Sequence, residues 1–145
     1  MEENKYDCLK LDTQLCFSLY ACAKEITRLY KPYLDEINLT YTQYVAMMVL
    51  WEEHVATLKH IGERLALDSG TLTPLFVKLE EKGYVYRMKD ENDDRNLIIK
   101  ISDEGLKLRD KALHIPSCIS QHIELDQNDL YNLYITLRKM MKSFK

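Results

Sequence analysis

The residues best suited to chemistry in this sequence are its four cysteines, because thiolates attack peroxides and disulfides and also bind metals. Cys16 stands out among them. It lies about one turn after Asp12 and Thr13, either of which can cap a helix, and the partial positive charge of a helix N-terminus stabilises a thiolate. The residue type by itself favours a plainer role, since a free cysteine among apolar residues is usually a small buried side chain.

A zinc site is the second chemistry that the sequence offers. His114, Cys118 and His122 recur at every fourth position and carry imidazole and thiolate groups that suit zinc. Pro116 interrupts the helix that would align them, and the sequence offers no fourth ligand nearby. We therefore expect neither a metal nor another cofactor.

The stretch from Leu58 to Ile101 predicts a helix-turn-helix followed by a β-hairpin. Apolar residues recur at helical spacing in 58–65 and in 72–79, on either side of the turn formers Asp68-Ser69-Gly70. The period then changes to two residues in the runs that flank the polar tip 90–95, which gives a hairpin too short to be a domain. A winged helix-turn-helix of this kind can place its second helix in a DNA major groove.

Helices with apolar seams are predicted at both ends of the chain. The first is expected to end or kink at Lys31-Pro32. A winged helix of this size has little surface with which to cover two seams, so we expect an obligate homodimer with its recognition helices about one DNA turn apart. The seams are formed by Leu15, Leu19, Cys22, Ile26 and Leu29, and by Leu130, Leu133, Leu137, Met140 and Phe144.

The 145 residues are 46% hydrophobic and 30% charged, as in an ordinary globular domain. We expect no signal peptide and no apolar run of the ~20 residues that cross a membrane, hence a cytoplasmic protein with reduced thiols. The net charge of −3 does not suggest DNA, and between Thr57 and Ile101 eight basic residues are matched by eight acidic ones. DNA binding would need the basic side chains gathered on one face.

Four stretches resemble the MarR family of bacterial transcriptional regulators, and the resemblance extends over essentially the whole chain. Residues 68–75 and 78–80 are similar to the recognition helix of that family, and Asp93-Asp94-Arg95 to its D-x-R wing tip. Gln14-Leu15-Cys16-Phe17 resembles the OhrR-like branch, which senses organic hydroperoxides through one cysteine. Three tyrosines complete that pattern: Tyr20, Tyr30 and Tyr41.

The fold expected from these patterns is mainly α with a small β wing. It forms a single MarR-type domain over residues 1–145. Within it, about 12–35 and 103–145 are dimerisation helices, and about 36–101 is the winged helix-turn-helix that binds DNA.

The resemblance also implies residue roles. Cys16 matches the peroxidatic cysteine, and Tyr30 and Tyr41 match tyrosines that reach it from the partner subunit. Asp93 and Arg95 match the wing tip, where the arginine enters the minor groove and the aspartate helps to hold it. Four residues match positions at which the recognition helix meets the major groove: Ser69, Thr71, Thr73 and Lys78.

The resulting hypothesis is a repressor that leaves a pseudo-palindromic operator in double-stranded DNA when an organic hydroperoxide oxidises Cys16. The oxidised sulfur disturbs the tyrosine contacts and moves the two recognition helices out of register with the DNA. Cys118 is a candidate resolving cysteine, since family members with a cysteine in this region form a disulfide across the dimer. Cys8 and Cys22 are expected to be bystanders.

Two alternatives stay open at this point. The first is a MarR-type regulator released by a phenolic or drug-like ligand, with Cys16 only packing in the cleft. The second is a thiol peroxidase that turns over at Cys16 and Cys118 without DNA. The helix-turn-helix argues against the enzyme, because a peroxidase has no need of one.

Overall fold

The structure is a computed structural model that describes residues 4–144; residues 1–3 and Lys145, which the predicted domain includes, lie outside the described part. The fold is mainly helical with one small antiparallel sheet, which confirms the predicted fold class. Seven α-helices and three strands follow one another in the described range: α1 Leu15–Glu36, α2 Tyr41–Glu53, β1 Val55–Thr57, α3 Leu58–Leu65, α4 Ser69–Glu81, β2 Val85–Lys89, β3 Leu97–Ile101, α5 Asp103–Ala112, α6 Ile115–Ser120 and α7 Gln127–Lys142.

The chain divides into two compact units, Met1–Ile115 and Pro116–Lys145. The first unit holds α1 to α5 and the sheet, and the second holds most of α6 and all of α7. The single domain over 1–145, with its inner boundaries, stays a prediction. Among the described residues, no helix is both long and apolar enough to cross a membrane.

The core of the first unit forms around α3 and α4, the helix-turn-helix. Asp68 caps α4 by accepting a hydrogen bond from the Thr71 amide at 2.8 Å, and Gly83 follows the helix with a φ of +80° that favours glycine. The helix therefore begins at the predicted turn formers 68–70 and includes the predicted apolar positions 72–79. Its apolar face is buried together with residues of α2, α3 and β3: Met47, Leu50, Ile61, Leu72, Phe76, Leu79 and Ile99.

The sheet has one more strand than the sequence predicts. β3 is the central strand and pairs antiparallel with both β1 and β2. β1 has only three residues between two helices, too few for a period of two to be recognised. His54, with a φ of +63°, turns the chain from α2 into β1, and its carbonyl oxygen accepts a hydrogen bond from the Ile101 amide at 2.9 Å. The wing is thereby joined to the helices through a third strand.

α1 begins later than its sequence predicts. The predicted caps Asp12 and Thr13 lie in a short 3-10 turn, and the Thr13 hydroxyl donates a hydrogen bond to the Lys10 carbonyl oxygen at 2.8 Å. That hydroxyl is satisfied before the helix starts. Gln14 precedes α1, and within the described residues its side chain makes no hydrogen bond to the first turn. Cys16 is consequently the second residue of α1 and lies nearer to its N-terminus than predicted.

α1 also continues past Pro32; of the two predicted outcomes, an end or a kink, the end is therefore wrong. The helix runs to Glu36, and the left-handed Asn38, with a φ of +55°, then turns the chain. This turn lets the Leu39 amide donate a hydrogen bond to the Leu34 carbonyl oxygen at 3.0 Å, and it buries both leucines. Burial of two leucines, at about 2 kcal/mol each, offsets the roughly 3 kcal/mol that a proline costs within a helix.

Gly105 allows α5 to approach the loop before the wing, which gives a prediction about stability. A Cβ at this position would overlap the Tyr84 carbonyl oxygen and would lie 3.0 Å from the Ile101 side chain. We expect Gly105→Ala to lower the free energy of unfolding in urea by about 2 kcal/mol. The control, Glu104→Ala on the exposed side of the same helix, should change it by less than about 0.5 kcal/mol. Equal effects of the two substitutions would contradict this close packing.

Candidate redox site and nucleic-acid interface

Cys16 lies at the exposed N-terminal end of α1. The Gln14 side-chain nitrogen donates hydrogen bonds backwards, to the carbonyl oxygens of Cys8 at 2.7 Å and Lys10 at 2.9 Å. The first backbone amides of α1 therefore keep their partial positive charge at the end of the helix where Cys16 lies. The thiol is exposed within the chain, unlike the small buried side chain that the residue type favours. Cys16 has the position and the accessibility of a reactive thiol.

Three tyrosine rings form a cluster near the other end of α1. The ring centroid of Tyr30 lies 5.0 Å from that of Tyr41 and 5.7 Å from that of Tyr44. Burial, followed by the nearby Tyr41 hydroxyl, raises the pKa of Tyr30. Burial, followed by the Tyr30 and Tyr41 hydroxyls, raises the pKa of Tyr44 to about 12. The phenols of Tyr30 and Tyr44 therefore stay protonated at neutral pH and can donate hydrogen bonds to an anion.

Tyr44 belongs to this cluster although the sequence analysis did not single it out. Its ring centroid also lies 6.2 Å from that of Trp51, which continues the aromatic contacts along α2. The signal that could have found it is its spacing: Tyr44 follows Tyr41 by three positions, which places both on one face of α2.

A single chain does not bring Cys16 to this cluster. Cys16 and Tyr30 are 14 positions apart on one helix, which at 1.5 Å per residue separates them by about 21 Å along its axis. Tyr20 follows Cys16 by one turn on the same side of the helix and is 65% exposed. The predicted redox residues thus form two groups, Cys16 with Tyr20 and Tyr30 with Tyr41, at opposite ends of α1.

Cys118, the candidate resolving cysteine, is a half-buried free thiol on α6 in the second unit. The ring of His114, in the first unit, contacts Tyr33 with centroids 6.3 Å apart. Across residues 4–144, no three histidine, cysteine or acidic side chains are grouped so that they could hold a metal ion. The described part of the chain therefore does not support a zinc site at residues 114, 118 and 122.

The residues predicted to contact DNA lie on exposed surfaces of α4 and of the wing. Arg95 has a side chain that is 91% exposed, and its Nε lies 3.2 Å from a carboxylate oxygen of Asp93. The same oxygen accepts a hydrogen bond from the Arg95 amide at 3.0 Å, so Asp93 fixes the base of an arginine that extends into solvent. The exposed side of α4 carries hydroxyls and a cation, which suit phosphates and base edges: Ser69, Thr71, Thr73 and Lys78.

An unpredicted ion pair joins α4 to the wing. The Arg87 amide donates a hydrogen bond to one oxygen of the Glu80 carboxylate at 2.8 Å, and the Arg87 Nε donates to the other at 3.2 Å. These contacts, with the backbone bond first, lower the pKa of Glu80. The charge of an acid at the recognition helix is thus compensated by a neighbouring arginine. No local sequence pattern signals the pair, because a turn separates its two members.

A second unpredicted group of charges joins α2 to α3. The Arg64 Nη1 lies 2.7 Å from a carboxylate oxygen of Glu52 and 2.7 Å from one of Glu53. Glu53 also contacts the His60 Nε2 at 3.0 Å, and hydrogen bonds from His60 and then Arg64 lower the pKa of Glu53. Two acids near the helix-turn-helix are therefore held by basic partners, which reduces their repulsion of DNA phosphates.

The sequence matches a protein-family model described as "Transcriptional regulator SarA/Rot" over residues 28–112. It is 43% identical to the organic hydroperoxide resistance transcriptional regulator of Bacillus subtilis (strain 168), over 97% of this chain and 96% of that protein. This similarity covers α1 and α7 as well as the helix-turn-helix.

The structure is also similar to solved regulators. Reduced AbfR bound to DNA has a TM-score of 0.79 at 33% identity, over 97% of this chain and 98% of that one. AbfR with a disulfide formed has a TM-score of 0.66 at 34% identity, over 94% and 96% of the two chains. AbfR comes from Staphylococcus epidermidis. A MarR variant of E. coli in complex with operator DNA has a TM-score of 0.81 at 20% identity, over 95% and 99%, and shows the shared fold alone.

The raised pKa of Tyr44 gives this site a pH signature. Because its pKa of about 12 lies above the value near 10 of an unfolded tyrosine, the stability it contributes is complete below pH 10 and is lost as the pH rises towards 12. Tyr44→Phe should therefore reduce the loss of unfolding free energy between about pH 9 and about pH 11 by roughly 1 kcal/mol. Tyr131→Phe, at a position that is 65% exposed, is the control and should match the wild type. If Tyr44→Phe loses as much unfolding free energy over this pH range as the wild type, the raised pKa of Tyr44 is refuted.

Proposed function

The chain belongs to the MarR family of winged-helix transcriptional regulators, in the branch of organic hydroperoxide regulators, and we propose that it is a DNA-binding repressor that senses organic hydroperoxides by oxidation of Cys16. One observation carries the redox assignment: Cys16 is an exposed thiol at the N-terminal end of α1. The relatives support the same chemistry, since the B. subtilis protein is an organic hydroperoxide resistance regulator and AbfR has both a reduced, DNA-bound form and a disulfide form. A cytoplasmic location fits a regulator that must reach DNA.

The winged helix is the part that binds DNA. Two copies of α4 enter successive major grooves of a pseudo-palindromic operator, with the exposed hydroxyls at 69, 71 and 73 and the Lys78 ammonium towards the DNA. Arg95 enters the neighbouring minor groove, held at its base by Asp93. Because the net charge is −3, affinity depends on two modules that bind together rather than on a strongly basic surface.

The protein acts as a homodimer. Leu15, Phe17 and Tyr20 on α1 are 66%, 45% and 65% exposed, which is unusual for large apolar side chains on one helix. In the second unit, α7 has no buried residue among those described, and Leu133 and Met141 on it are 44% and 43% exposed. Pairing of two chains through these helices covers both surfaces. It also supplies what one chain lacks, the tyrosines of one subunit beside Cys16 of the other.

The chemistry begins with the Cys16 thiolate, which tyrosine hydroxyls from the other subunit hold by hydrogen bonds. The sulfur attacks the outer oxygen of a hydroperoxide, so an S–O bond forms while the O–O bond breaks. The sulfur loses two electrons and becomes a sulfenic acid, and the alkoxide takes up a proton and leaves as an alcohol. The added oxygen disturbs the tyrosine contacts, and the recognition helices move out of register with the operator. An apolar surface that includes Phe17 favours organic peroxides over hydrogen peroxide.

Cys118 is proposed as the resolving cysteine. Its thiolate attacks the sulfenic sulfur of Cys16 in the other subunit, the S–S bond forms, and hydroxide leaves and takes up a proton to become water. Cys118 is only half-buried, so its thiol is accessible to such a reaction. The disulfide form of AbfR supports a step of this kind in the family.

A ligand-binding regulator is the second candidate function. The cluster of Tyr30, Tyr41 and Tyr44 favours it, because ring faces and protonated phenols suit an aromatic ligand. Turnover of peroxide by an enzyme is not proposed, since the relatives are transcriptional regulators.

Operator binding by cysteine variants tests the redox assignment. The probe is duplex DNA that the reduced protein selects from a random library, and affinity is measured by fluorescence anisotropy before and after cumene hydroperoxide. Oxidation should weaken binding by the wild type by at least about tenfold, the scale of ordinary allosteric coupling. Cys16→Ser should bind DNA and keep its affinity after oxidation, because it cannot form a sulfenic acid.

Cys8→Ser is the matched control, because Cys8 is also an exposed thiol near the start of α1 and lies outside the predicted seams; it should respond as the wild type does. Release that persists in Cys16→Ser would refute the redox assignment and favour the ligand-binding candidate. Cys118→Ser should still release DNA but should form no disulfide between subunits on a non-reducing gel. A disulfide that survives in Cys118→Ser would exclude the resolving role.

A further inference from the structure

The Lys82 side chain joins three parts of the first unit that are distant in sequence. Lys82 follows the last residue of α4, so it lies at the end of the recognition helix. Its Nζ donates a hydrogen bond to the Asn38 carbonyl oxygen at 2.6 Å and another to the Gln43 Oε1 at 3.1 Å. Asn38 belongs to the turn after α1, and Gln43 lies in the first turn of α2. One ammonium group thus holds the end of α4 against the corner between α1 and α2.

Gln43 is also the residue that fixes the start of α2. Its amide donates a hydrogen bond to the Thr40 hydroxyl at 3.3 Å, and its Oε1 accepts one from the Thr40 amide at 3.1 Å. This reciprocal pair is a capping box, and Gln43 is buried. Tyr41 directly follows Thr40 in the chain, and the Tyr41 ring lies against that of Tyr30 in the tyrosine cluster. The Gln43 oxygen that receives the Lys82 ammonium therefore also holds the backbone that carries Tyr41.

The environment of Lys82 makes these bonds hard to replace. The side chain is half-buried, and burial, followed by the charge of Lys78, lowers its pKa. A partly desolvated ammonium needs acceptors, and the two oxygens on this corner supply them. The corner and the end of α4 consequently move together, because separating them leaves a charged donor without its partners.

We propose that Lys82 is a positioning residue that transmits the state of the tyrosine cluster to the recognition helix. The inference rests on the proposed redox function and adds the route by which it reaches α4. When oxidation of Cys16 displaces Tyr41, the Thr40–Gln43 capping box shifts with it. The Lys82 ammonium follows its acceptors and pulls the C-terminal end of α4, which changes the angle at which that helix meets the DNA. Without the ammonium, the end of α4 loses its hydrogen bonds to Asn38 and Gln43 at this corner.

The test compares operator affinity in the oxidised and reduced states of full-length variants. Lys82→Met keeps the apolar stem and removes the charged donor, and Lys82→Arg keeps a charged donor. Lys107→Met on α5, at a side chain that is 72% exposed, is the matched control for removal of a lysine. Gln43→Met instead removes one of the two oxygens that accept from Lys82. It is used in place of Lys82→Met if Lys82→Met does not fold. The quantity measured is the ratio of the dissociation constants after and before cumene hydroperoxide, with oxidation of Cys16 checked by mass spectrometry.

We expect Lys82→Met to reduce this ratio roughly tenfold relative to the wild type, because a hydrogen bond from a charged group contributes on that scale. Cys16 should still be fully oxidised in this variant. Lys82→Arg should restore most of the ratio, and Lys107→Met should leave it unchanged. An unchanged ratio in Lys82→Met, with both constants shifted equally, would mean that Lys82 only stabilises the fold and would overturn the inference. If the wild type itself keeps its DNA on oxidation, the proposed function fails, and the inference fails with it.

Discussion

Dimerisation and sensing both depend on one property of α1: its own chain leaves most of the helix uncovered. Along α1 the described side chains before Leu34 are exposed or half-buried, and they include Leu15 and Phe17. A continuous helix also keeps Cys16 about 21 Å from Tyr30 along its axis. The apolar surface that a second chain can cover therefore lies on α1, the same helix that separates Cys16 from Tyr30. In the proposed dimer, burial of that surface joins the two chains and also brings the tyrosines of one subunit to Cys16 of the other.

The recognition helix is held at its two ends and along its buried side, which is what makes it sensitive to a small shift elsewhere. Asp68 caps its beginning, Glu80 binds the wing through Arg87, and Lys82 binds the corner between α1 and α2. Of these contacts, those of Glu80 and Lys82 are to separate elements, so the position of α4 depends on the wing and on the corner between α1 and α2. The Glu80–Arg87 ion pair also compensates an acid at the recognition helix, which reduces its repulsion of DNA phosphates in a chain with a net charge of −3.

Local signals predicted the helix-turn-helix and the wing well, because caps and periodicity act within a few residues. The break between the two helices at Asp68 and the polar wing tip are examples, and both are confirmed. The later start of α1 has a local cause, the Thr13–Lys10 hydrogen bond, whereas the other differences came from packing and from contacts between distant residues. α1 passes Pro32 because the turn after it buries two leucines, and the bond from Lys82 to Asn38 joins positions 44 apart. The combination of Cys16 with Tyr30 and Tyr41 could be predicted only through a family resemblance, since within one chain Cys16 lies far from both tyrosines.

The central claim is that each sensor combines Cys16 of one subunit with the tyrosines of the other, and mixed dimers test it most directly. In one dimer, the first subunit carries Cys16→Ser and the second carries Tyr30→Phe with Tyr41→Phe. In the other, all three substitutions are in one subunit and the second is wild type. DNA release after cumene hydroperoxide is measured for both. The shared sensor predicts release by the first dimer, which keeps one complete site, and impaired release by the second. The opposite result would show that each chain senses with its own tyrosines and would contradict the claim.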